Sequence, residues 1–264
     1  LLLGLVQQDG TVAILLYEPQ EEVMAWLTWE TDGFVEKVMV LPGIEEDAVY
    51  YHIRRTINGV TRRYLEKWAL ESECIGDTGL SWLMDCAISI TDTGKSATIQ
   101  APHLAGENVI VWGTDTGTGG GKDFSPDSDS GVQLTYALDT GGNGAIGTAV
   151  HHKTVGLPYD GLWKSTKLAY AAELGTALAQ MKTVPQLGLV LYNTHNDGLR
   201  FGTDTGELDP LPRMMEDEPV DPDRIFESID MVPVSMPRKW HPDIRLILKA
   251  RAPRPIPTVV THER

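Results

Sequence analysis

The sequence predicts a mainly β protein built of antiparallel sheets, and three observations carry that prediction. Apolar and polar residues alternate with period two through most of residues 1–68, the pattern of strands with one buried and one wet face. Asn58-Gly59 separates two such runs, and this dipeptide is the strongest short-range hairpin signal because both residues tolerate positive φ. The triplet Asp-Thr-Gly recurs at Asp77, Asp92, Asp115, Asp139 and Asp204, where Asp caps a turn and Gly supplies the left-handed backbone between two strands.

Taken in order, residues 1–6 form an apolar run closed by the polar turn Gln7-Gln8-Asp9-Gly10. No Met begins it, and no basic segment of a signal peptide precedes it. The run reads as a buried strand cut from its neighbours, so the chain is expected to be the C-terminal part of a longer protein. Strands follow over 11–17, 23–29, 34–40, 48–55 and 60–68. Charges alternate with apolar residues between Arg54 and Lys67, as in a sheet with one wet face. Trp26 and Trp29 are an odd number of residues apart, which places one in a core and the other on a surface or interface. Residues 1–86 are therefore expected to be an antiparallel propeller-blade-like sheet, one blade with part of the next in a β-propeller-like domain, although a sandwich meander gives the same pattern.

Residues 87–158 carry strands at 97–100, 108–112, 132–136 and 149–152, with a Gly/Ser/Asp-rich surface loop at 113–131. They predict a small inserted β-barrel-like domain, supported by its neighbours because a core of this size is marginal alone. Residues 159–264 predict a C-terminal β-sandwich-like region with buried strands at 187–192 and 244–250. The Ala-rich segment 167–182 fits helix or strand, since Gly175-Thr176 interrupts it. Nine carboxylates and four prolines against Arg213 and Arg224 mark 207–230 as a solvated acidic loop. From Arg238 onward the charge reverses, with seven basic residues against Asp243 and Glu263. Segments of opposite sign can meet between subunits.

The full chain has 264 residues and a formal charge of −15. That charge argues against a sequence-independent DNA binder, which needs a basic surface to displace counterions. Cys74 and Cys86 supply neither a disulfide framework nor a four-cysteine zinc site. No apolar stretch approaches the ~20 residues of a membrane-spanning helix.

The catalytic signatures fail on inspection. An aspartic protease needs two Asp-Thr-Gly turns behind hydrophobic strands, sharing a proton. Only Asp115 is followed by a hydroxyl residue (Thr118), and Gly113-Thr114 rather than apolar residues precede it. Asp139 follows Ala137-Leu138, but Gly142 stands where the hydroxyl belongs. A hydrolase using Asp115 and Asp139 is thus the least favoured reading. Gly117 to Lys122 has the wrong glycine spacing for a phosphate loop, and Asp123 replaces its hydroxyl. Asp127-Ser-Asp129-Ser-Gly131 lacks the closing Glu of a calcium loop. His151 and His152 point to opposite strand faces, His195 falls in a turn-rich loop, and no Gly-x-Ser-x-Gly elbow occurs. No catalytic residue, metal ligand or cofactor is assigned.

Trp29 to Gly33 and Val35 to Gly43, the stretch from Asp47 through Trp68, and His103 to Trp112 together resemble tail nozzle proteins of short-tailed bacteriophages, also called tail tubular protein B. Gly156 to Tyr159, Gln186 to Asn193, Gly198 to Gly202 and Arg251 to Pro255 extend the resemblance over most of the chain. The family's N-terminal half has no counterpart here, and the loop at 113–131 is longer. The resemblance implies a virion tail protein that forms a homohexameric ring with adaptor and fibre proteins as neighbours. The genome would leave through its channel, touching the wall without specific binding. An acidic wall suits this, because it repels phosphate where a basic one would hold it. The alternative is a fibre-like or carbohydrate-binding β module on a particle surface, which needs an exposed aromatic platform.

Overall fold

The computed structural model describes residues 2–20, 22–44, 46–69, 83–114, 122–123, 135–167, 181–212, 214–215, 217–221, 224–236, 240–254, 256 and 258–263. The fold is mainly β, every sheet is antiparallel, and one sheet curls into a half-barrel. The buried apolar residues gather in three clusters.

The first cluster lies under two three-stranded meanders. Strands β1 (Leu2–Val6), β2 (Val12–Glu18) and β3 (Val23–Trp29) pair in sequence order, as do β4 (Phe34–Leu41), β5 (Ala48–Ile57) and β6 (Val60–Lys67). The strands arise where the alternation places them. Asn58 and Gly59 both adopt positive φ, 49° and 74°, and close the β5–β6 hairpin with Ile57 opposite Val60. Val12, Ile14, Val35, Tyr51 and Ile53 form the core, with Trp29 packed against it.

These strands divide into two sheets, β1–β2–β3 and β4–β5–β6. The cause lies at 30–33, where the backbone leaves the ladder: the Asp32 amide donates to Asp85 and the Asp32 carbonyl accepts from Arg55. Polar groups committed to those side chains have none left for strand pairing. Gly10 then fits under Phe34, whose ring lies 2.5 Å from where a Cβ would stand.

The second cluster lines the five-stranded sheet β10–β8–β11–β7, with β9 attached to β8. Here β7 is Asp85–Gln100, β8 is Asn108–Thr114, β9 is Lys122–Asp123, β10 is Tyr136–Ala137 and β11 is Asn143–Leu157. The short strands expected at 97–100 and 149–152 are the end of β7 and the middle of β11, two long partners whose register slips three times. Such bulges bend and twist a ladder. Strand β7 starts at Asp85, before the expected boundary at residue 87, and Ile57 belongs to this second cluster.

The third cluster is shared by two sheets. One is β12–β19–β14–β15 and the other β18–β13–β20. Their strands are β12 (Asp160–Lys164), β13 (Gln186–His195), β14 (Leu199–Asp204), β15 (Glu207–Pro210), β18 (Ile225–Ser235), β19 (Ile247–Arg251) and β20 (Thr258–Glu263). Leu187, Leu189 and Leu191 alternate inward from β13 to meet Leu199 and Phe201 of β14 and Leu248 of β19.

The acidic segment 207–230 is strand-bearing rather than a loop. It holds β15, the two-residue pair β16 (Met214–Met215) and β17 (Glu218–Pro219), and the start of β18. Its carboxylates conceal a strand pattern: Leu208 is half-buried between exposed Glu207 and Asp209, and Phe226 is buried in the core. Positions 168–180, most of 113–131, Cys74, Asp77 and Asp115 lie outside the described residues.

Candidate functional site

The densest charge constellation is built on Arg55. On β5 the buried side alternates Tyr51, Ile53, Arg55 and Ile57, so the arginine occupies a core position. This corrects the expectation that the charges of 54–67 line a wet face. The Arg55 Nε and Nη2 donate to the two Glu66 oxygens at 2.6 and 2.8 Å. Nη2 and Nη1 donate to the two Asp85 oxygens at 2.8 and 3.0 Å. Nη1 also reaches the Asp32 carbonyl, and Nη2 the Thr31 hydroxyl, both at 2.6 Å. One guanidinium thereby holds two carboxylates in forked geometry, the arrangement that makes arginine the usual buried cation.

The second carboxylate is relieved by further donors. The Thr31 hydroxyl lies 2.8 Å from each Asp85 oxygen, and the Asp32 amide donates at 2.8 Å. Burial acts to lower the Arg55 pKa, but bonds to Glu66 and Asp85 overcome it and raise the value. Cys86 follows Asp85 directly, and burial, with Glu66 nearby, pushes its thiol well above the ordinary range. That thiol stays protonated and inert. The whole arrangement is a structural clamp joining β5, β6, the 30–33 segment and the start of β7.

Beside the clamp is a cleft of ≈ 460 Å³ lined by Thr28, Glu30, Thr31, Asp32 and Asp85 on one side and Pro158 to Leu162 on the other. Its Asp85 is consumed by Arg55, and its Asp160 pairs with Lys249 at 2.7 Å. Burial, followed by Asp85 and Glu30, raises the Tyr159 phenol. Of its carboxylates only Glu30 and Asp32 have no ion pair among the described residues.

The Asp-Thr-Gly triplets separate into two kinds. Asp139 accepts from the amides of Gly141 and Asn143 at 2.8 Å, and Asp204 accepts from Gly206 at 3.0 Å. Both aspartates are the turn caps the sequence predicts, but neither Gly141 nor Gly206 takes the expected positive φ; in the Asp139 turn Gly142 does so instead. Asp92 differs, because it lies inside β7 and takes the buried Lys153 ammonium at 2.6 Å. His195 also departs from expectation. It ends β13, is buried, and meets Trp112 edge-on at 5.7 Å between ring centres. His152 bonds Thr91 across the β7–β11 pair at 3.1 Å. Among the described residues, no three His, Cys, Asp or Glu side chains are grouped to hold a metal ion. No described helix is long and apolar enough to cross a membrane.

Arg55, Glu66, Asp85 and Lys153 escaped the sequence reading. The Asn58-Gly59 register sets Arg55 opposite Arg62 and Glu66 opposite Tyr51, so cross-strand pairing does not point to the Arg55–Glu66 bond, and period two alone gives no sign of which of two adjacent arginines turns inward.

One face of β1–β2–β3 exposes a group of apolar side chains. Register places Leu3, Leu15 and Trp26 in one row across the sheet, with Leu5, Tyr17 and Met24 on the same face. Trp26 is 57% exposed, Met24 69%, and Leu3 and Leu5 49% each. Trp29, by contrast, packs on Tyr51 with ring centres 4.6 Å apart and on Trp68 at 5.4 Å. The two tryptophans are thus divided between surface and core as their spacing requires.

Comparison with known proteins gives no matching family model and no matching curated protein.

Proposed function

We propose that this chain is a structural protein of a short bacteriophage tail, assembled with copies of itself into the ring-shaped nozzle through which the genome leaves, and that it performs no catalysis. The observation that carries the assembly reading is the uncovered apolar row Leu3–Leu15–Trp26 on a sheet whose outer strands are β1 and β3. A face of this kind is stabilised by covering, and the occupant we assign is a second copy of the chain. The forked pairing of Arg55 and the Lys153–Asp92 pair support the non-catalytic reading, since these buried charges serve packing rather than a substrate.

The tail-nozzle identity rests on the resemblance over residues 29–68, 103–112 and the closing strands. In that reading the two N-terminal meanders are pieces of propeller blades, the five-stranded sheet is the small inserted barrel, and the two C-terminal sheets form a sandwich. Six copies enclose a channel, adaptor and fibre proteins contact the ring, and the −15 charge keeps DNA sliding rather than bound. The protein then resides in the virion tail.

Electron microscopy of the purified protein, with light scattering for mass, tests the proposal. Closed rings of six are expected, favoured by added salt because each copy carries like charge. A monodisperse monomer at micromolar concentration and every salt concentration overturns it. The exposed Trp26, flanked on its face by Tyr17 and Met24, favours one second reading, a carbohydrate-binding module. A glycan array with hits that disappear in Trp26→Ala selects that reading instead.

A further inference from the structure

The face of the β12–β19–β14 sheet turned away from the third cluster carries a group of cations. Register fixes their placement: Asp160 lies opposite Arg251, and Arg200 lies opposite Lys249. Residues two apart on a strand share a face, so Arg200, Lys249 and Arg251 all point away from the side that Leu199, Phe201 and Leu248 bury in the core. Arg200 and Arg251 are diagonal neighbours, a relation that long side chains span.

The acids nearby are already engaged. Asp160 pairs with Lys249 at 2.7 Å, and Asp197 accepts from Arg254 at 3.5 Å. Neither Arg200 nor Arg251 has a side-chain hydrogen bond or ion pair among the described residues. Arg251 is only 6% exposed. Burial, then Arg254 and Arg200, lowers its pKa against the pull of Asp160 and Asp197. An arginine does not shed its proton in a protein, and no Arg251 nitrogen is both sealed from solvent and without a partner, so this guanidinium is within reach of a ligand from solvent. With Asp160 on Lys249 and Asp197 on Arg254, Arg200 and Arg251 are two positive charges that no ion pair among the described residues offsets.

We infer that Arg251, with Arg200 beside it, forms a binding site for a small dianionic oxyanion of the phosphate type. The guanidinium offers a planar fork that matches two oxygens of such a ligand. A dianion balances the local excess, whereas a carboxylate balances half of it. The surrounding −15 charge disfavours a long polyanion at the same place.

Titration calorimetry with inorganic phosphate, against sodium chloride at equal ionic strength, tests the site on the intact chain. Saturable binding of one phosphate per chain is expected, weakened about tenfold or more in Arg251→Gln, the loss of a charge-assisted fork. Arg200→Gln, at a half-buried position, should weaken it as well, and decides the matter if circular dichroism shows Arg251→Gln unfolded. Absence of phosphate binding, or equal binding in the folded variants, overturns the site. Binding of a short single-stranded DNA as tight as that of phosphate overturns the assignment to a small dianion.

Discussion

Arg55 and Asp85 lie thirty positions apart in sequence and meet through two parallel bonds of 2.8 and 3.0 Å. The pair fastens the second N-terminal meander to the first residue of β7, and so connects the first apolar cluster to the strand that begins the second. Glu66 closes the other side of the same guanidinium at 2.6 Å. Stability of this region therefore depends on one side chain.

Replacing Arg55 is expected to destabilise the fold strongly. Arg55→Ala leaves two carboxylates without their cation, and breaking a buried pair this way costs about 3–5 kcal/mol. Arg55→Lys recovers only part, because one ammonium does not serve two forks. Urea denaturation followed by fluorescence reads both. An unchanged midpoint in Arg55→Ala contradicts the clamp.

Trp26 and Trp29 should respond oppositely. Trp29→Ala removes a ring stacked on Tyr51 and Trp68 and should cost about 3–5 kcal/mol. Trp26→Ala should leave the unfolding midpoint nearly unchanged, within about 0.5 kcal/mol, while weakening self-association in sedimentation experiments. Equal losses of stability in the two variants would place Trp26 in a core it does not occupy here.

Two glycines give a controlled pair. Gly59 and Gly142 both have positive φ, 74° and 78°. A Cβ on Gly59 meets open space, whereas on Gly142 it stands 2.5 Å from the Ala101 carbonyl oxygen. Gly59→Ala should cost about 1 kcal/mol from backbone conformation alone, and Gly142→Ala distinctly more. Thermal melts of the two variants side by side check the order.

Acid should destabilise the protein, and the sign follows from the carboxylates. Backbone and side-chain bonds from Asn143 hold Asp139 below its ordinary pKa, and the Arg63 bond does the same for Glu36. Both sit lower folded than unfolded, so their contribution is complete above the unfolded values near 4 and is lost as pH falls through the folded ones. The urea midpoint should stay level from about pH 7 to 5 and drop below about pH 4. Asp139→Asn should flatten part of that drop, and an identical pH profile in the variant excludes the cap as a contributor.

Cys86 should resist alkylation. Burial raises its thiol, so iodoacetamide at pH 8 is expected to leave it unmodified until denaturant is added, as mass spectrometry of its peptide will show.

Period-two alternation and the Asn58-Gly59 turn located the strands from β1 through β6 within a residue or two, because register and side-chain facing are local properties of the backbone. The Asp139 and Asp204 caps were legible for the same reason: the side chain bonds its own turn. What the sequence alone left undecided is long-range. It did not indicate that Arg55 rather than Arg54 turns inward, that the meander breaks at 30–33 to feed the clamp, or that Asp92 meets Lys153 inside a ladder. It also hid the strands of 207–230 behind their charge, and the cation face around Arg251 behind an unremarkable basic tail. Each of these depends on which distant segment arrives to share a proton or exclude water, and only the packed chain settles that.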